Sequence, residues 1–371
     1  MRPPSVQAKS TFRKRILFLT SLNRRAGEPK EPAFDNPWVL FYHSRKKTPE
    51  ESAEKDAFMK KDHWERGKIE YLFFNGEIVP YANAVIHITS PAYRYGAMVF
   101  EGIRAYWNES RRQLYLFRIP EHCRRLNQSL KMSRMDLEIK EEEMEGNLIA
   151  LLRKNGIQQT VHFIYSAYIG GDGPMSSKGP IGSAIELRRF SHMVDVENGI
   201  RCAVSNWRRN SDESSPMRIK AAANYHNSRF ALLQAKQDGY DNAILLNQRG
   251  KVSEGPGACV FMVRDGRFVT PGIDSDILES ITRDTLKILI QERFGFPVTE
   301  RSVDRTELYI ADELFFCGSG YEIAPIVNVD GLPVGSGKPG ELTRQLMKAY
   351  GDVVTGETAD HGEWRIPVYD L

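Results

Sequence analysis

The run RIKAAANYHNS, residues 218–228, decides how the rest of this chain is read. Lys220 stands there before three alanines and an Asn-Tyr-His-Asn cluster. A solvated lysine needs no such neighbours, because its ammonium rides a flexible stem into water. A lysine that must meet a ligand's carbonyl carbon has stricter needs. Small flanking residues let a planar ring approach the backbone, and Tyr225 can offer that ring a hydrogen bond. Taken alone, the run is far more simply an ordinary exposed lysine, so any other meaning rests on its surroundings.

Upstream, IRCAVSNW (200–207) alternates as a strand, and downstream SRFALLQAKQDGY (228–240) reads as a helix ended by Gly239. Two hairpins are expected next, DNAILLNQRGKVSEG (241–255) and ACVFMVRDGRFVTP (258–271), the latter turned at Asp265-Gly266. In the first half, YLFFNGEIVPY (71–81) carries a hairpin signal at Asn75-Gly76. AVIHI (84–88), GAMVFEGIRAY (96–106), QLYLFRI (113–119) and VHFIYSAYIGG (161–171) read as strands, being rich in β-branched and aromatic residues. Two helices are expected between them, one opened by Pro120 and one over 140–156 with acids first and bases last. Short strands with few helices argue against a doubly wound parallel sheet.

The 371 residues suffice for two domains. We expect a basic and mixed-charge extension over 1–69, a small α+β domain over 70–190, a connection over 191–205 and a larger α/β domain over 206–371. The first residues have the composition of a mitochondrial transit peptide and equally that of a disordered leader. A cytoplasmic location is the expectation, with a mitochondrial one as its alternative. A net charge of +3 is too small to imply nucleic acid, and no apolar run approaches the roughly 20 residues that cross a bilayer. The four cysteines form no pairing or zinc motif, and the eight histidines no ligand pair, so no metal is expected. No G-x-G-x-x-G follows a strand, and no Walker loop or G-x-S-x-G elbow occurs.

Three downstream features are of the kind a phosphorylated aromatic cofactor requires. Glu254 in VSEGPGA (252–258) can keep a pyridine nitrogen protonated and so make the ring an electron sink. Ser280 can cap a helix whose first amides, at Ile281 and Thr282, bind phosphate. Gly318-Ser319-Gly320, after an apolar strand, frees backbone amides for an anion. Each alone is more simply a turn or a cap. Together with a lysine for a Schiff base they make a complete cofactor site.

The order of these pieces resembles the class IV, fold type IV pyridoxal-phosphate aminotransferases, most closely the branched-chain amino acid aminotransferases. The resemblance runs over about 70–357 through FFNGEIVP, YRYGAMVFEGIRAY, EHCRRL, KAAANYHNS, GKVSEGPGA, ESITRD, YIADELFFCGSGYEIAPI and VVTGE. It implies an α+β fold of two domains with pyridoxal 5′-phosphate between them, and at least a dimer. Lys220 then matches the lysine that tethers the cofactor, Tyr225 the tyrosine at its phenolate oxygen, and Glu254 the acid at its ring nitrogen. Arg125 matches the arginine at the phosphate, joined by the Ile281 and Thr282 amides and Ser319. Ser319 and Gly320 would offer amides to a substrate α-carboxylate, and Tyr95 and Phe100 would line the side-chain pocket.

The implied activity is amino transfer between an L-amino acid, branched-chain or otherwise hydrophobic, and a 2-oxo acid. A specialised transaminase for an unusual amino acid or amine, and a cofactor-binding relative without activity, are the alternatives. One departure bears on substrate. The family's Tyr-x-Arg-Pro run, whose arginine receives glutamate's distal carboxylate, is replaced by HFIYSAYIGGDG (162–173), with no arginine in any near register. Tyr165 is expected in that arginine's place, and glutamate and 2-oxoglutarate lose their usual warrant. Cys259 also stands where an asparagine is expected, and Pro256 where a small residue is usual.

Overall fold

The computed structural model describes residues 69–189 and 194–370. The expected extension over 1–69 lies almost wholly outside them. The Asn75-Gly76 turn has both residues at positive φ, 51° and 92°, the twist that a two-residue hairpin needs. It joins β1 (Tyr71–Phe74) to β2 (Glu77–Pro80), and a short helix, α1 (Pro91–Tyr95), follows with Ser90 as its cap. The next elements are β3 (Met98–Asn108), β4 (Gln113–Phe117), α2 (Ile119–Met132), α3 (Glu141–Lys154), β5 (Val161–Ile169) and β6 (Ile181–Arg188). The run 84–88, expected as a strand, forms none; Val85 and Ile88 are 70% and 67% exposed. Its β-branched side chains find no sheet edge within the chain.

In the second half, β7 (Ile200–Arg208), α4 (Asn224–Gln237), β8 (Asn242–Leu246), β9 (Cys259–Arg264) and β10 (Arg267–Thr270) precede α5 (Ile281–Phe294). Then come β11 (Thr299–Glu300), β12 (Glu313–Gly318), β13 (Glu322–Val329), β14 (Leu332–Pro333), α6 (Glu341–Thr355) and β15 (Arg365–Pro367). The β9–β10 hairpin turns at Asp265-Gly266 as expected, φ 50° and 68°. The hairpin expected over 241–255 also forms: the Leu245 amide donates to Glu254 O and the Ser253 amide to Leu245 O, both at 2.9 Å, and Leu246 is bridged to Val252.

The strands form two sheets. The first, ordered β15-β4-β3-β5-β6-β1-β2, is antiparallel throughout; the second, ordered β11-β10-β9-β12-β13-β7-β8, is mixed. The expected connection over 191–205 thus overlaps β7, already inside the second sheet. The chain's last strand, β15, returns to the edge of the first, so the two halves are not sequential domains.

Helices α2 and α3 cover one face of the first sheet, burying Ile119, Leu126, Leu148 and Leu152 against Val99, Ile103 and Phe163. Helices α5 and α6 cover the second sheet through Leu286, Ile290, Leu346 and Val353. The far end of β3 docks on α6, where the Tyr106 and Tyr350 hydroxyls lie 2.9 Å apart and Asn108 Nδ2 donates to Thr355 O. Its near end faces a cavity of about 710 Å³.

Candidate active site

Lys220 sits on the segment between β7 and α4, which lies along the start of β3. The Phe100 amide donates to Lys220 O at 2.9 Å and the Ala222 amide to Met98 O at 3.0 Å, with Val99 and Ala221 bridged. The three alanines have a structural reason in this pairing. A Cβ added at Gly96 would already lie 3.4 Å from Ala223 Cβ, and Ala221 packs on the first core. Only Ala222 lines the cavity. Lys220 Nζ donates to Tyr225 Oη at 2.7 Å and lies 4.8 Å from the Phe100 ring centre. A cation over an aromatic face gains about 0.5–2 kcal/mol, so the amine is held between the Tyr225 phenol and the Phe100 ring. His226 takes no part; it packs edge-on against Phe230.

Helix α2 presents two stripes. Ile119, Cys123, Leu126 and Leu130 enter the core, while His122, Arg125 and Ser129, at i, i+3 and i+7, turn polar groups toward the site. Ser129 Oγ accepts from the Lys220 amide. Arg125 donates through Nε and Nη2 to the two oxygens of Glu101, at 2.8 and 2.6 Å, and through Nη1 to Glu279 O at 2.8 Å. His122 Nδ1 lies 2.7 Å from the same carboxylate. Burial alone would raise the Glu101 pKa, but the charge and hydrogen bonds of Arg125, with the hydrogen bond from His122, hold it at about 2. Burial also depresses His122, so the imidazole is neutral and donates. This clamp carries Arg125 to the start of α5. There Ser280 Oγ accepts the Arg283 amide and Ser280 O the Asp284 amide. The Ile281 and Thr282 amides remain for an anion, beside a guanidinium and at the positive end of the helix dipole.

At the opposite end, Glu254 is 3% exposed. Arg209 donates to its Oε1 through Nε and Nη2, at 3.0 and 2.6 Å, and the Leu278 amide reaches Oε2 at 3.2 Å. Arg209 is itself steadied by Ser228 Oγ. The Cys259 thiol lies 3.8 Å from Oε2, and burial, then the Glu254 charge, pushes its pKa up to about 12. The asparagine expected there is thus replaced by a neutral thiol, and Arg209 holds the carboxylate.

The Gly318-Ser319-Gly320 turn forms the third corner. A Cβ on Gly318 would lie 3.4 Å from Gly257 O, so the β12 end lies close against the 255–258 loop. Arg104, from β3, ties the turn down by donating Nε to Ser319 O at 2.5 Å and Nη2 to Gly320 O at 3.0 Å. Arg104, Glu101, His122 and Arg209 were missed in the sequence. A charged residue inside an otherwise apolar strand, as in MVFEGIRAY, is the signal that marks Glu101 and Arg104.

Lys220, Arg125, Tyr225, Glu254, Ser280, Ser319, Gly320 and Phe100 all line the one cavity. Ile281 and Thr282, which follow Ser280 in α5, are buried and are not part of that wall, and two further expected residues also lie outside it. Tyr165 is fully buried in the first core, because on β5 residues 163, 165, 167 and 169 face the helices while His162 and Ile164 face the cavity. Tyr95 ends α1, 37% exposed, and is not part of the cavity wall. Among the described residues no group of three or more His, Cys, Asp or Glu is placed to hold a metal, and no helix is long and apolar enough to cross a membrane.

An amine, a guanidinium beside a capped helix start and a buried carboxylate around one cavity are groups that a phosphorylated carbonyl cofactor needs, and the donor set fits pyridoxal phosphate. The family model of class IV amino-transferases matches residues 98–329. A probable branched-chain-amino-acid aminotransferase of Aquifex aeolicus (strain VF5) is 40% identical, the match covering 81% of this chain and 98% of that protein. The branched-chain-amino-acid aminotransferase of Escherichia coli (strain K12) is 35% identical over 80% and 97%. Among solved structures, that of the Thermobaculum terrenum branched-chain enzyme in its PLP form superposes with a TM-score of 0.77 at 41% identity, covering 81% and 99%. The Thermoproteus uzoniensis enzyme with norvaline gives 0.77 at 38% identity, over 81% and 99%. The chain belongs to the class IV aminotransferases, with a fold type IV architecture and pyridoxal phosphate as its cofactor.

Proposed function

We propose that this enzyme moves the amino group of a branched-chain or other hydrophobic L-amino acid to a 2-oxo acid. One observation carries the reading: the cavity that brings Lys220 and Tyr225 together with the Arg125, Glu254 and Ser319 corners is walled by the apolar side chains of Met98, Phe100 and Ile164. The names of its relatives support it, as does norvaline, an aliphatic amino acid, in the T. uzoniensis structure.

Arg125, the Ile281 and Thr282 amides and Ser319 would hold the phosphate, Tyr225 the phenolate oxygen and Glu254 the ring nitrogen. When bound, the cofactor supplies an electron sink for negative charge at the substrate's α-carbon. Lys220 Nζ takes the proton from that carbon, and Tyr225 Oη, 2.7 Å away, fixes where the amine stands as it does so. Arg209 holds the Glu254 carboxylate in place through two hydrogen bonds to its Oε1. Arg104 holds the 318–320 turn so that the Ser319 and Gly320 amides meet the substrate's α-carboxylate.

The working unit is a homodimer. Val85, Ile88 and Tyr93 are each about two-thirds exposed, apolar side chains that a second copy would cover. The reduced state of the four free cysteines suits a cytoplasmic location. Addition of pyridoxal phosphate is expected to give a coloured protein whose absorbance changes in a single turnover with leucine. Lys220→Ala abolishes amino transfer. Protein that stays colourless with the cofactor, or Lys220→Ala at the wild-type rate, overturns the reading.

A further inference from the structure

The wall that Tyr165 was expected to form is built instead from three adjacent strands, and their registers fix two rows of side chains on it. Gly102 pairs with Ile164 and Ile164 with Glu186; one step along, Arg104 pairs with His162 and His162 with Arg188. Gly102, Ile164, Glu186, His162 and Arg188 all line the cavity. Directly opposed residues lie about 5 Å apart and diagonal ones about 7–8 Å, so a long side chain at 188 reaches the space in front of Ile164.

Arg188 is already holding a carboxylate. Its Nε and Nη2 donate to the two oxygens of Glu186, both at 2.9 Å, the side-on bidentate geometry that guanidinium offers any carboxylate. Both side chains are partly exposed, 23% and 33%, so Glu186 regains water when it leaves. Two guanidinium groups stand along the row, that of Arg104 paired with Glu322 at 3.4 Å. His162, buried between them, is held well below the usual imidazole range by burial and then by the charges of Arg104 and Arg188. It is a neutral neighbour between two guanidinium groups.

Resting on the aminotransferase reading above, we propose that Arg188 receives the distal carboxylate of a dicarboxylic amino acid or 2-oxo acid. Glu186 is its internal stand-in, displaced when that carboxylate arrives and returned when an aliphatic side chain lies against Ile164 and Gly102. One wall thereby serves both side-chain classes, with the receptor on β6 instead of β5.

The test compares single-turnover half-reactions of the cofactor-loaded enzyme with glutamate and with leucine, read by cofactor absorbance. Arg188→Gln is expected to lower the glutamate-to-leucine ratio of kcat/KM by about 100-fold, chiefly through the concentration of glutamate needed. Glu186→Gln, which removes the competing carboxylate and leaves the guanidinium, is expected to raise that ratio by about 3–10-fold. Should Arg188→Gln not fold, Arg188→Lys, which keeps the charge and loses the fork, must lower the ratio, and Glu186→Gln still decides the sign. Leucine turnover with glutamate inert in the wild type overturns this assignment alone, as does an unchanged ratio in Arg188→Gln or a lowered one in Glu186→Gln. Inert leucine and glutamate together overturn the reading on which it rests.

Discussion

Replacing Glu101 with Gln tests the clamp that places Arg125. The substitution keeps the shape of the side chain and removes its charge, leaving the Arg125 guanidinium, only 8% exposed, without a compensating anion. Held at about 2 against an ordinary 4.5, the carboxylate contributes about 3 kcal/mol of stability at neutral pH. Because its pKa is depressed by folding, that contribution is complete above the ordinary carboxylate range and is lost as pH falls toward 2. Breaking a buried ion pair from one side costs about 3–5 kcal/mol, which agrees. With a urea slope of about 3 kcal/mol per molar, the cofactor-free variant should unfold at a midpoint about 1 M lower. Tryptophan fluorescence during urea unfolding at pH 7.5 measures this. Inorganic phosphate should recover part of the loss, because it supplies the missing anion beside Arg125 and the α5 amides. A loss below about 1 kcal/mol, or a variant indifferent to phosphate, would refute the idea that Glu101 compensates Arg125.

Tyr225→Phe removes the 2.7 Å hydrogen bond to Lys220 Nζ. It should lower kcat/KM with leucine by about tenfold or more, since bonds to charged groups contribute about 1.5–3 kcal/mol; an unchanged rate would deny the tyrosine its role. Gly255→Ala brings a Cβ within 2.7 Å of Phe316 Cε1 in the second core, and calorimetry should show a destabilisation of about 1–3 kcal/mol. His122 and His162 are both depressed by burial and are neutral when folded. Their contribution is full above the ordinary histidine pKa of about 6.5 and is lost as pH falls below it. The melting temperature should therefore drop between pH 7.5 and 5.5, and a flat profile across that range would count against two buried neutral histidines.

Much of the site could be read in the sequence because its pieces are local. A capped helix start, a glycine turn and a lysine among alanines each fit within a dozen residues, and each keeps its form in the fold. What escaped is what those pieces lean on. Glu101 and Arg209 owe their roles to partners 24 and 45 residues away, and no short window shows a pairing of that kind. Tyr165 failed by one residue of strand register, since a period of two sends neighbours to opposite faces. The run 84–88 failed because a strand's composition does not provide an edge to pair with. The return of β15 to the first sheet had no local signal at all.

The segment bearing Lys220 has a further consequence. It leaves β7 of the second sheet, yet its backbone is hydrogen-bonded to β3 of the first at Met98 and Phe100. The reactive amine therefore belongs to neither body alone. On the proposed role of Lys220, the lysine that meets the cofactor is placed by both sheets at once, through two peptide hydrogen bonds to β3.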